Sequence, residues 1–167
     1  MLVEAVATVV KPWYRQFYLL RGEAEWASDR VSSDAYETCL EAIDGFVYVG
    51  TAMYGHPTDV RVELHDAEPL EVAAEADRVV EVSLAGEGAL AILSWGANDP
   101  EATVELPAGP LRLRGNWFGL AAADAHPDND LGGGEPSPER VLFQLWRAPE
   151  TEARTIRRWA RDERALG

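Results

Sequence analysis

Nine short runs of β-branched and aromatic residues, each closed by a proline- or glycine-bearing turn, dominate this chain of 167 residues. They leave little room for long helices. The clearest run, 58–64 (TDVRVEL), sets Val60, Val62 and Leu64 against Arg61 and Glu63. That is period two, with one face buried and one face wet. The others are 2–10, 13–20, 45–52, 77–84, 89–95, 101–106, 111–117 and 140–147. Turn signals stand between them: Lys11-Pro12, Tyr54-Gly55-His56-Pro57, Gly86-Glu87-Gly88 and Pro107-Ala108-Gly109-Pro110. Pro12 cannot donate to a ladder and marks a break or an edge. In 111–117 the alternation turns Leu111 and Leu113 inward and predicts that Arg112 and Arg114 face water. This pattern predicts an all-β fold, an antiparallel two-sheet sandwich of about nine strands, with a barrel as the second choice.

Two segments read as helices. Residues 32–43 (SSDAYETCLEAI) offer Asp34 as N-cap and Glu37 at the third helical position of a capping box. From Pro149 onward, Ile156 and Trp159 are three apart, and Arg154 and Arg158 four apart. The arginines gather toward the C-terminal half, where the helix dipole favours cations. The expected organisation is a sandwich over 1–148 and a C-terminal basic α-helix over 149–167. Between the last two strands of the sandwich, 121–138 (AAADAHPDNDLGGGEPSP) is a long polar connection of the kind that is functional or disordered.

Charge sorts the possible partners. The chain carries a formal charge of −14, and residues 1–146 hold −16 of it against +2 for residues 147–167. An acidic body repels phosphates, so nucleic acid is not expected to bind through it. It attracts a basic partner and speeds the encounter. The plainer reading is that net charge keeps the chain soluble. Cys39 is the single cysteine, so no intrachain disulfide forms; this and the absence of a signal-like start or a long apolar stretch point to the cytoplasm and to no membrane span.

Chemistry-bearing patterns are sparse. Asp128-Asn129-Asp130-Leu131-Gly132, with Asp124 and Glu135 nearby, has calcium-loop composition, but Gly132 stands where a fifth-position ligand belongs. A solvated loop is the simpler reading. His56, His65 and His126 lack metal-ligand spacing. Cys39 and the serines lack any nucleophile signature, and Cys39 reads as core. Gly132-Gly133-Gly134 leads into a proline, not a phosphate-binding helix. No catalytic residue, metal site or cofactor is expected. What remains is recognition. Of six tryptophans, Trp13 and Trp146 read as core, whereas Trp95 and Trp117 fall at strand ends where a half-exposed ring fits an interface. Arg154, Arg157, Arg158, Arg161 and Arg164 offer cations either to an acidic partner or to the chain's own acidic body.

The landmarks in order are Tyr14-Arg15-Gln16-Phe17, Trp26, Gly45-Phe46-Val47-Tyr48-Val49, Arg78-Val79-Val80-Glu81-Val82-Ser83, Leu106 to Arg114 (LPAGPLRLR) and Phe143-Gln144-Leu145-Trp146. Across about residues 13–147 this order resembles a widespread group of uncharacterised actinobacterial β-sandwich proteins. More distantly it is similar to the competence protein J family, whose members inhibit a membrane-associated DNA-entry nuclease. Pro110-Leu111 replaces that family's usual tyrosine, and the basic C-terminal segment is extra. The resemblance implies a non-catalytic binding protein: an inhibitor, immunity protein or regulator of a basic protein such as a nuclease. The alternatives are a carbohydrate- or calcium-binding module built on 121–138 and Trp117, and an enzyme of unrecognised class. Trp95, Trp117, Arg154, Arg157, Arg158 and Arg161 are the expected interaction residues.

Overall fold

A computed structural model describes residues 1–159. All nine expected strands form: β1 (Leu2–Val10), β2 (Gln16–Arg21), β4 (Phe46–Gly50), β5 (Thr58–His65), β6 (Arg78–Leu84), β7 (Leu90–Ser94), β8 (Ala102–Val104), β9 (Leu111–Phe118) and β10 (Arg140–Arg147). Two more join them, β3 (Leu40–Ile43) and β11 (Arg154–Arg157). One sheet runs β1-β5-β10-β9-β6-β11 and the other β3-β4-β2-β7-β8. Pairing is antiparallel except between β5 and β10, which run parallel.

The core lies between the sheets, where Val60, Val62, Val80, Val82, Leu113 and Phe143 meet Phe17, Leu19, Val47 and Val49. Trp117 is at its centre with 0% exposure, contrary to the half-exposed ring expected at a strand end. It is in phase with Leu111 and Leu113, and β9 continues past it. Gly115, two residues earlier on the same face, makes room: a Cβ there would stand 2.7 Å from the indole. The indole N–H donates to the Gly50 carbonyl at 3.0 Å, tying one sheet to the other. Trp117→Phe removes that bond and part of the packed volume, and is expected to cost about 2 kcal/mol in urea denaturation.

Both helix expectations are corrected. The first helix, α1 (Ser33–Thr38), is capped by Ser32, not Asp34; the Ser32 hydroxyl accepts from Ala35 N. It stops because Cys39 turns left-handed (φ 63°), and 40–43 then pairs with β4. The second segment is extended where it was expected to be helical: Arg154, Thr155 and Arg157 pair with Glu81, Val80 and Val79 of β6. The remainder of that expected helix, including Arg161 and Arg164, lies outside the described residues. Residues 13–15 are also not strand but a tight turn before β2, with Tyr14 and Arg15 at positive φ.

Arg112 and Arg114 do lie on the outer face of their sheet, yet they do not face water, with exposures of 6% and 2%. The chain covers them. Arg112 donates from Nη1 to the Thr151 carbonyl (3.2 Å) and from Nη2 to that of Glu152 (2.9 Å), which holds the segment leading into β11. Arg114 donates to the Pro69 carbonyl and the Glu68 carboxylate on the 66–76 connection. Between them Glu81, 3% exposed, accepts from Arg112 Nε at 3.3 Å, Arg114 Nε at 2.9 Å and Arg154 Nη2 at 3.2 Å. Register sets this network, since Glu81 is directly opposite both Arg114 and Arg154. Among the described residues no helix is long and apolar enough to cross a membrane.

Candidate interaction surface

At one end of the sandwich, four aromatic side chains from three separate segments converge. Tyr14 stands between Tyr54 (ring centroids 5.6 Å apart, planes at 78°) and Trp95 (4.7 Å, 54°). Trp13 backs onto Tyr54 edge-on at 5.5 Å. Tyr14 is 59% exposed and Trp95 39%. Isolated surface aromatics are ordinary, but a contiguous group presenting tilted faces is the composition of an interface centre.

The local chain is built to hold this arrangement. Pro12 ends β1, and the following turn puts two non-glycine residues, Tyr14 (φ 55°) and Arg15 (φ 59°), in the left-handed region. Such residues cost on the order of 1 kcal/mol each and persist only where their surroundings over-determine them. Here Arg15 N donates to the Pro12 carbonyl, Thr51 N to that of Arg15, and Gly55 N to that of Pro12. The Arg15 guanidinium also bonds the Ala52 carbonyl and the Asp130 carboxylate. Trp13 is seated between two glycines, whose Cβ atoms would stand 2.5 Å (Gly55) and 2.8 Å (Gly132) from its ring. Lys11 N donates to Ser94 Oγ, which donates in turn to Glu101, so the Trp95 turn is linked to the same end.

The 121–138 connection is part of this site. It opens with α2 (Leu120–Asp124) and returns against the aromatic turn, where Tyr54 N donates to the Asn129 carbonyl at 2.9 Å. His56, 2% exposed, stands between the Glu135 carbonyl, 3.0 Å from Nδ1, and that of Asp128, 3.0 Å from Nε2, and a ring N–H donates to the loop. Beneath it lies Glu139, 0% exposed. Its carboxylate accepts from Ala52 N (2.8 and 3.0 Å) and Met53 N (3.4 Å), fixing the turn that carries Tyr54. Burial pushes the Glu139 carboxyl up to about 7; the Ala52 and Met53 N–H groups and the charges of Arg78 and Arg15 oppose the shift.

The expected interaction residues are therefore dispersed. Trp95 belongs to the aromatic end, whereas Trp117 is core, which removes the ring on which a sugar-stacking role was to rest. Arg154 is turned toward Glu81, and Arg157 Nη1 donates to the carbonyls of Ala73, Ala74 and Ala76. Arg158 is exposed, and Arg161 lies outside the described residues. Tyr14 and Tyr54, and Trp13 in this role, were missed by sequence reasoning; the available signal was an aromatic residue in each turn, at Pro12-Trp13-Tyr14 and Tyr54-Gly55. A second exposed ring, Trp26, covers Tyr18 (4.6 Å) and Phe46 (5.3 Å) on the outer face of the five-stranded sheet, where packing accounts for it.

The fold is similar to ComJ of Bacillus subtilis, an inhibitor of the DNA-degrading activity of NucA, with a TM-score of 0.65 and 15% identity over 89% of this chain and 99% of that one. It is also similar to a protein described as crocagin biosynthetic gene J, with a TM-score of 0.56 and 16% identity over 87% and 98% of the respective chains. At these identities the likeness establishes the fold. No protein-family model matches the chain, and no curated protein matches its sequence.

Proposed function

We propose that this chain is a non-catalytic acidic binding protein that inhibits or regulates a basic protein partner such as a nuclease. The observation that carries the reading is the aromatic end: Trp13, Tyr14, Tyr54 and Trp95 gathered around a strained, heavily braced turn of a chain with net charge −14. Rigid aromatics supply contact area at low entropic cost and dominate binding energy at interface centres. The acidic field supplies long-range attraction to a basic surface and competes with DNA for it. The likeness in fold to ComJ supports the inhibitor form of this reading.

The test is DNA cleavage by a panel of purified basic nucleases, with and without an equimolar amount of this protein, at about 50 mM and about 500 mM salt. The expected result is stoichiometric loss of cleavage for at least one nuclease, weakened at high salt because surface charge is screened over about 10 Å or less. Unchanged cleavage across the panel, with no heat of association in calorimetry, would contradict the reading.

A further inference from the structure

We infer that the aromatic end receives a cationic side chain, an arginine projecting from the basic partner, which stacks on the exposed ring surfaces of Tyr14 and Trp95. The inference rests on the binding-protein reading above and specifies the chemistry of that surface. The cluster offers a planar cation a rigid, partly exposed aromatic surface. Tyr14 packs against Trp95 at 54° and against Tyr54 at 78°, so the rings hold one another in place while 59% of Tyr14 and 39% of Trp95 stays open to a partner. A ring face carries negative quadrupole density, and a guanidinium is planar and weakly hydrated, so it stacks where an ammonium does not.

Charge around the aromatic end has the matching sign. The turn after Trp95 carries exposed Asp99 and Glu101, and the loop beside Tyr54 carries exposed Asp128 and Asp130. Against these four acids stand Lys11 and Arg15, and Arg15 is already committed to Asp130 and the Ala52 carbonyl. An anionic headgroup or phosphate would meet net repulsion here, and a cation meets attraction. The same fold also shows arginine over aromatic faces within its own body: Arg114 is 5.0 Å from the Trp146 ring and Arg140 3.7 Å from that of Phe118.

The probe is a capped seven-residue Gly/Ser peptide with one central arginine, titrated into the full chain and followed by NMR at the Trp95 indole N–H and the Tyr14 ring protons. Saturable shifts at these two residues are expected, with Trp26 unmoved. Replacing the arginine by neutral, equally planar citrulline is expected to weaken binding at least tenfold. Tyr14→Ser is expected to weaken it at least fivefold, and Asp99→Asn, a surface change that leaves the turn intact, about twofold. Equal binding of the citrulline peptide, shifts that spread over the acidic surface without saturating, or no shift at Trp95 would each overturn the proposal. If the peptide fails while a nuclease is still inhibited, the cation anchor falls and the binding-protein reading stands; loss of both removes the broader reading.

Discussion

Glu81→Leu is expected to lower the unfolding free energy by about 3–5 kcal/mol, the largest effect of any single substitution considered for this chain. The carboxylate stands between the guanidinium groups of Arg112 and Arg114, each almost fully enclosed. Removing it leaves two buried cations facing each other with carbonyls, Ser83, Glu68 and the Trp146 ring for compensation. Arg154 contributes less, because its side chain is 62% exposed and water can replace the carboxylate there. Urea denaturation measures the loss. Hydrogen exchange should show faster opening of β11, whose register against β6 depends on the Arg154–Glu81 contact. The triple replacement Glu81→Leu, Arg112→Met, Arg114→Met is expected to recover most of the stability, since a well-packed apolar set often equals a buried ion network. If the single variant is as stable as the parent, the network does not hold the C-terminal segment.

Glu139 gives the second large effect, and it appears as pH dependence. Its carboxyl, completely enclosed, holds its proton up to about pH 7, whereas in the unfolded chain it ionises near 4.5. Between those values the native state binds the extra proton, so unfolding releases it and stability falls as pH rises. The contribution is fully present below pH 4.5 and is lost as pH passes 7. The shift corresponds to about 3 kcal/mol across that window. Because other groups titrate as well, the informative quantity is the difference between the parent and Glu139→Gln, measured by denaturation at pH 5 and pH 8. The difference should move by about 3 kcal/mol in favour of the variant at the higher pH. A pH-independent difference would mean that the Ala52 and Met53 N–H groups offset the burial of the charge completely.

Much of the fold was legible because strand periodicity and turn chemistry are local. The nine runs and their proline and glycine boundaries needed nothing beyond neighbouring residues. The failures are tertiary. Leu40–Ile43 continues an apparent helix in sequence, and nothing in the letters marks Cys39 as the residue that turns left-handed and releases it into β3. Arg154–Arg157 has helical spacing and composition, yet pairing along the open edge of β6 and the Glu81 contact outweigh a weak propensity. For Arg112 and Arg114 the alternation identified the correct face, but it carries no information on what covers that face. The aromatic end was half visible. Trp95 stood out by its place at a strand end, whereas Tyr14 and Tyr54 gain meaning only when residues forty apart in sequence are brought within 5.6 Å.

On the proposed reading, a basic protein docks at this end of the acidic sandwich. The direct measurement is calorimetric affinity for an inhibited nuclease of the parent chain against Tyr14→Ser/Trp95→Ser. Both residues are exposed, so the fold should survive, with Tm within a few degrees of the parent. Two truncated anchors at an interface centre predict at least a hundredfold rise in Kd, on the order of 3 kcal/mol or more. An unchanged Kd in a folded double variant would contradict the claim.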